Sequence, residues 1–116
     1  MNNVTLIGNL ATDVELKELD AERKVANFLL AVDRHSKEGG ADFVRVNAWN
    51  RQAELCAQYL VKGRRIAVDG YLRSRSWEED GKRRTAVEVV ANRVQFLSPT
   101  DGGAAAEVPF EEVAVG

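Results

Sequence analysis

Residues 42–49 read Asp-Phe-Val-Arg-Val-Asn-Ala-Trp, and this stretch decides how the fold is interpreted. At the two-residue period of a β-strand, one face carries Val44, Val46 and Ala48, and the other carries Phe43, Arg45, Asn47 and Trp49. The small apolar face is typical of a core. The opposite face, with two aromatic rings and a cation, is therefore predicted to face outward.

Residues 65–77 repeat this division of faces. Ile66, Val68, Gly70 and Leu72 point one way, and Tyr71, Arg73, Arg75 and Trp77 point the other. Flat aromatic rings interleaved with guanidinium groups suit a ligand that offers bases and phosphates in alternation. The two strands together predict a surface for single-stranded nucleic acid.

The composition is that of one ordinary globular domain. The chain has 116 residues, of which 45% are hydrophobic and 29% are charged, which excludes disorder for the main body. Neither a leader segment nor an apolar run long enough for a membrane span is evident. The single cysteine, Cys56, excludes an intramolecular disulfide and favours a reducing compartment. We therefore expect a cytoplasmic protein.

The net charge of −2 at first argues against a nucleic-acid binder, but the charge is unevenly distributed. All 16 basic residues lie before residue 99, and the last eighteen residues hold four acidic residues and no basic one. Within residues 43–84, ten basic residues outnumber five acidic ones. The positive charge thus lies among the aromatic residues, as an electrostatic groove requires.

The order of elements predicts an all-β fold. We expect a first strand from Val4 through Gly8 towards Leu16, and four more strands over 25–32, 42–49, 65–77 and 85–97. A glycine-rich hairpin connection should follow the second strand, and an Asp-Gly turn should follow the fourth strand. Between the third and fourth strands the apolar period changes to about 3.6, which predicts a helix capped by Asn50 and ended by Gly63. Five strands with one helix between strands 3 and 4 is the order of an OB-fold Greek-key barrel.

Four segments, in order and at similar spacings, resemble the bacterial-type single-stranded DNA-binding protein family. They are Asn3-Val4-Thr5-Leu6-Ile7-Gly8-Asn9-Leu10, Val25-Ala26-Asn27-Phe28, Tyr59-Leu60-Val61-Lys62-Gly63 and Gly70-Tyr71-Leu72-Arg73-Ser74-Arg75-Ser76-Trp77. The resemblance covers roughly residues 2–97. It implies an OB-fold subunit that binds and protects single-stranded DNA with little sequence preference during replication, recombination and repair. The implied assembly is a homotetramer, with a homodimer as the alternative.

The resemblance also implies roles for individual residues. Bases would stack on Phe43, Trp49 and Trp77. Phosphates would contact Arg34, Arg45, Arg51, Lys62, Arg73, Arg75 and Arg84. The sequence departs from the family at two positions. Family members commonly have a stacking tryptophan in the loop between the second and third strands, and this chain has Ser36 at about that position. The family's usual histidine after the first stacking aromatic residue, often near subunit contacts, is Val44 here.

The end of the chain departs further. We expect the OB-fold domain to occupy residues 1–98 and a short acidic, flexible tail to occupy residues 99–116. Family members commonly end in an acidic run and a terminal phenylalanine, whose ring and carboxylate dock replication and repair proteins. Here Phe110 is followed by six more residues and cannot present its own carboxylate, which argues against docking through this tail.

Two other classes of function remain open. The aromatic faces could serve protein contacts in a dimeric OB-fold accessory protein of primosome assembly. Glu78, Glu79 and Asp80 could hold the metal ion of a nuclease, although adjacent residues at a hairpin tip usually stay hydrated. No motif of catalysis is present, so we expect a protein that is not an enzyme, with no catalytic residues, no cofactor and no bound metal.

Overall fold

The computed structural model describes residues 1–97, and the predicted tail and the boundary before it lie outside this range. The elements, in chain order, are β1 (Val4–Leu10), β2 (Glu15–Glu18), β3 (Lys24–Asp33), β4 (Ala41–Trp49), α1 (Asn50–Tyr59), β5 (Arg65–Glu79) and β6 (Lys82–Phe96). The six strands form one sheet, and α1 packs on it. The predicted order of strands and helix is confirmed.

The sheet closes on itself because β1 and β2 are two halves of one bent strand. Both pair with β3, with Leu10 opposite Leu30 and Glu15 opposite Asn27. On its other edge β1 pairs with β5, which pairs with β6, and β6 runs parallel to β4. The result is the five-stranded closed barrel of the OB-fold, with the helix between β4 and β5.

The first strand was predicted to continue from Val4 towards Leu16, and it is instead interrupted at residues 11–14. Two side chains in the interruption bind neighbouring backbone. The Thr12 hydroxyl accepts the amide of Leu29 (3.1 Å), and the Asp13 carboxylate accepts the amide of Lys62 (2.9 Å). Before the interruption, the close approach of β1 to β3 needs Gly8, where a Cβ atom would lie 2.3 Å from the Ala31 carbonyl oxygen.

The barrel interior is apolar and closed at one end by α1. Leu30, Val46, Ile66 and Val68 are all 0% exposed, and one face of the helix joins this core through buried side chains that include Leu55 and Cys56. The helix start differs from its prediction. Asn50 does not cap it, since Trp49 occupies the cap position without a side-chain hydrogen bond, and the Asn50 amide oxygen accepts the backbone N–H of Lys24.

The helix end also differs from its prediction. The last helical residue is Tyr59, and Leu60 occupies the C-cap position, where its N–H donates to the carbonyl oxygen of Cys56. Gly63 lies three residues beyond this cap, in the turn that leads to β5, with φ of 93°. Gly63 therefore shapes the connection to the next strand rather than ending the helix.

Beyond Gly70 the two longest strands leave the barrel as a hairpin arm, defined here as residues 72–87. A β-bulge marks its base, because Asp69 pairs with Arg93 while Gly70 pairs with Ala91, which leaves Asn92 as an extra residue. The tip is the predicted Asp80-Gly81 turn, with φ of 55° and 77°, as in a type I′ hairpin turn. Within residues 1–97, no helix is long and apolar enough to cross a membrane.

Candidate nucleic-acid interface

The outer face of β4 carries the side chains that the sequence predicted to face outward. Phe43 is 64% exposed, Arg45 is exposed and Trp49 is partly exposed, whereas Val46 and Ala48 on the inner face are fully buried. Asn47 differs from the expectation, because it points outward and is still buried. Other polar side chains cover it, as described below.

A groove on the outer surface of the barrel brings several predicted residues together. Arg45 and Trp49 from β4 and Arg73 and Arg75 from β5 all line it. The strand pairing produces this arrangement, since β4 and β5 lie on either side of β6. The opposite wall is formed by Glu15, Lys17 and Leu19, in and just after β2.

The floor of the groove is a hydrogen-bonded cluster centred on the carboxylate of Glu88. This side chain is 2% exposed. Its Oε2 accepts hydrogen bonds from Asn47 Nδ2 and from Arg73 Nη2, the latter at 3.1 Å, and Arg75 Nε lies 3.5 Å from Oε1. A buried carboxylate requires such compensation. The cluster explains why Asn47 is buried on an outward face.

No sequence pattern identified Glu88 as part of the site. The available signal was a single carboxylate within the apolar run Ala86-Val87-Glu88-Val89-Val90. Without the pairing of β6 with β4 and β5, no sequence pattern connects this carboxylate to Arg73, fifteen residues earlier, or to Asn47, forty-one residues earlier.

The groove has an excess of positive charge. Four basic side chains (Lys17, Arg45, Arg73 and Arg75) line it together with two carboxylates, those of Glu15 and Glu88. Arg45 makes no ion pair with any other residue in the described part of the chain. Its guanidinium group is therefore available for an anionic ligand.

Trp77 lies on the arm, past the end of the groove. Its ring is 39% exposed, and the guanidinium carbon of Arg75 lies 5.0 Å from the ring centroid, within cation–π range. Arg84 is the cross-strand neighbour of Trp77, and its Nε lies 3.5 Å from Glu79 Oε1. Arg75 thus links the ring on the arm to the floor of the groove.

Phe43 lies at the other end of β4, six residues from Trp49, which corresponds to roughly 20 Å along an extended strand. Nearby, Arg34 donates two hydrogen bonds to Asp42, the shorter at 2.8 Å, and remains half-exposed. This region is outside the groove. The three aromatic residues therefore mark a long path across the surface and do not form a single pocket.

Like Arg34 and Arg84, two other predicted phosphate contacts, Arg51 and Lys62, lie outside the groove. Arg51 lies in the first turn of α1, where Nη1 is 3.9 Å from Glu54 Oε1. Lys62 follows the helix, and its backbone amide donates to Asp13. Both are exposed, and their roles remain predictions.

Two further groups of side chains bear on the chemical alternatives. Among residues 1–97, no set of three or more His, Cys, Asp or Glu side chains is placed to hold a metal ion. Cys56 is buried, and burial raises the pKa of its thiol to about 12. A thiol with such a pKa is a core side chain and a poor nucleophile at neutral pH.

The chain is similar to known single-stranded DNA-binding proteins. The sequence model of the Single-strand binding protein family matches residues 1–97. A single-stranded DNA-binding protein of Treponema pallidum is 40% identical over 110 residues, which cover 90% of this chain and 62% of that protein. Single-stranded DNA-binding protein 3 of Clostridium acetobutylicum is 46% identical over 84% of this chain and 71% of its own length.

Single-stranded DNA-binding protein A of Bacillus subtilis is 41% identical over 97% of this chain and 68% of its own length. The chain thus spans about two thirds of the length of these relatives, and less than that of the Treponema protein.

Proposed function

Since the chain belongs to the single-strand binding protein family, we propose that it binds and protects single-stranded DNA with little sequence preference. One observation supports this most directly. Arg45, Trp49, Arg73 and Arg75 converge on one groove with excess positive charge, and Arg45 has no ion-pair partner among the described residues. A base on the indole ring and phosphates on the guanidinium groups would both be accommodated there.

Base stacking supplies affinity that depends little on sequence. Each base stacked on an aromatic side chain contributes about 1–3 kcal/mol, and every base has a π-face. We propose that Phe43, Trp49 and Trp77 are the three platforms, joined by a path that runs along β4 and then onto the arm. Duplex DNA hides its base faces, so it cannot use these platforms.

Phosphate contacts supply the remaining affinity and make it depend on salt. Each phosphate neutralised on a single strand adds about 0.7 to the magnitude of the log-log salt slope. Arg45, Arg73 and Arg75 are the strongest candidates, because they line the groove with Trp49. Arg34, Arg51, Lys62 and Arg84 would extend the same path, each from an exposed position.

The wider biological role follows from the family. We propose a non-enzymatic protein that acts in DNA replication, recombination and repair, in the cytoplasm and on the nucleoid. We further propose that it assembles as a homotetramer. The exposed apolar side chain of Ile7 on β1, 49% exposed in the single chain, would gain burial in such an assembly, and sedimentation would report its size.

Tryptophan fluorescence tests the proposed binding directly, because the chain's only two tryptophans, Trp49 and Trp77, are both proposed to stack on bases. Oligo-dT should quench their emission at low salt, and added salt should reverse the quenching. A duplex of equal length is the control and should quench far less. Unchanged emission with saturating oligo-dT at low salt would refute the proposal.

A further inference from the structure

Glu88 stands out from the other carboxylates because it is buried and still faces the groove. Its side chain is 2% exposed, whereas Arg73 and Arg75, which contact it, are 42% and 53% exposed. The two guanidinium groups therefore lie between the carboxylate and solvent. A DNA phosphate in the groove would meet the arginines first, so Glu88 would not touch the DNA.

The contacts of Glu88 extend to the base platform on the arm. Arg75 Nε lies 3.5 Å from Glu88 Oε1, and the guanidinium carbon of the same residue lies 5.0 Å from the centroid of Trp77. Arg73 is held more directly, by a hydrogen bond of 3.1 Å. One buried carboxylate thus contacts both groove arginines and, through one of them, the ring of Trp77.

We infer that Glu88 is a positioning residue of the interface. It holds Arg73 and Arg75 in place for phosphate and, through Arg75, fixes the Trp77 ring on the arm. The inference rests on the proposed binding of single-stranded DNA and adds to it a residue that acts without contacting the ligand. The described residues that neighbour Trp77 on the arm are exposed, so this ring lies away from the barrel core.

Two effects of the Glu88 charge oppose each other. The carboxylate repels a phosphate in the groove, but it also pre-organises two long side chains that would otherwise lose rotamer freedom on binding. The two arginines outnumber the one carboxylate and lie in front of it, which leaves positive charge at the surface. Pre-organisation is therefore expected to dominate, and loss of Glu88 should weaken binding.

The first measurement uses the protein without DNA. In a Trp49→Phe background, Trp77 is the only tryptophan, and acrylamide quenching reports how firmly its ring is held. Glu88→Gln removes the charge and keeps the length, while Glu88→Asp keeps the charge and withdraws the carboxylate by one methylene. Both variants should increase quenching of Trp77. When Arg75 is also replaced by Gln, Glu88→Gln should cause no further increase.

The second measurement uses fluorescein-labelled oligo-dT with Trp49 intact. Glu88→Gln and Glu88→Asp should each weaken binding about tenfold, which corresponds to about 1.4 kcal/mol. Glu78→Gln is the matched control, because it removes the same charge from an exposed position on the same arm. It should not weaken binding. Urea unfolding of every variant identifies any general loss of stability.

The outcomes are distinct. Tighter binding by Glu88→Gln would mean that the carboxylate competes with phosphate, and would overturn the inference. Unchanged Trp77 quenching in both variants would also overturn it, since the residue would then serve only the fold. If the unaltered protein fails to bind oligo-dT, the proposed function fails, while the quenching experiment still decides whether Glu88 positions Trp77.

Discussion

The strands β5 and β6 run through both the barrel and the arm, but different forces hold their side chains in the two regions. In the barrel, Ile66, Val68 and Val94 are at most 4% exposed and are fixed by packing. On the arm, both Leu72 and Trp77 are more than one third exposed. The side chains there are held by cross-strand pairs and by the cation–π contact of Arg75, and the Leu72 backbone bonds to the side chain of Asn2. Burial ends close to the bulge at Gly70.

This difference separates stability from recognition. Side chains of the barrel interior contribute apolar burial, which dominates the free energy of folding, and they make no contact with a ligand. Side chains of the arm contribute little burial, and their rings and cations remain available to one. Trp49 of the barrel combines both roles, because it is partly buried opposite Val25 and also lines the groove.

The largest expected effect is on stability, from a change in the barrel interior. Leu30 is 0% exposed, so Leu30→Ala should lower the free energy of unfolding by about 2–5 kcal/mol through lost burial and the cavity left behind. Leu72→Ala on the arm is the matched control, and it should stay within about 0.5 kcal/mol of the unaltered protein. Urea unfolding measures both, and equal losses would contradict the division between barrel and arm.

The next effect is on binding, from a change on the arm. Trp77→Ala should weaken oligo-dT binding by about 1–3 kcal/mol, the contribution of one stacked base, without lowering the unfolding midpoint. Trp49→Ala should reduce both affinity and stability, since that ring also packs on the barrel. Anisotropy of a labelled oligonucleotide and urea unfolding give the two quantities. A Trp77→Ala variant that unfolds at a lower urea concentration but binds oligo-dT normally would show that Trp77 serves stability and not binding.

The features that depend on local periodicity could be predicted from the sequence. The alternation in residues 42–49 separates Val46 and Ala48, which are buried, from Phe43 and Arg45, which are exposed, because a strand turns successive side chains to opposite faces whatever its partners. The Asp80-Gly81 turn was predicted for a similar reason. Positive φ at two successive residues favours this dipeptide.

The features that were missed depend on contacts between distant segments. Asn50 has a good capping side chain, but its amide oxygen is bound by Lys24 of β3, a partner that no local pattern identifies. The burial of Asn47 and Glu88 likewise needs the register of β4, β5 and β6. Three of the proposed phosphate contacts line the groove, and their alternation along the strands predicted that they face outward: Arg45, Arg73 and Arg75. The other four lie elsewhere, and their roles remain predictions: Arg34, Arg51, Lys62 and Arg84.

The arginines allow a finer comparison between a free cation and a paired one. Arg45 has no ion pair within residues 1–97, whereas Arg34 is held by Asp42 at 2.8 Å. Arg45→Gln should reduce the magnitude of the salt slope for oligo-dT binding by about 0.7, the value for one phosphate on a single strand. Arg34→Gln should reduce it less, because its charge is already partly neutralised. Titrations at several salt concentrations give both slopes, and the opposite order would contradict the comparison.

The smallest expected effect concerns pH and the ion pair that joins the barrel to its helix. Lys24 Nζ of β3 lies 2.5 Å from Glu54 Oε2 of α1. The hydrogen bond from Lys24, together with its charge, lowers the pKa of Glu54 below 4.5, and the same contact raises the pKa of Lys24 above 10.5. A carboxylate whose pKa is lowered by folding stabilises the fold above its unfolded pKa, and this contribution is lost as pH falls through the folded value.

The contribution of the Lys24–Glu54 pair should therefore be complete from about pH 5 to about pH 10, between the ordinary pKa values of a glutamate and a lysine, and should decline on either side. Glu54→Gln should make the unfolding midpoint less dependent on pH below about 4.5. Glu79→Gln on the arm is the matched control, because its pair with Arg84 is exposed on both sides and joins no helix to the barrel. Because the Lys24 and Glu54 side chains are still partly exposed, salt should weaken the effect of this pair. A steeper acid transition in Glu54→Gln would show that this pair does not link helix and barrel as described.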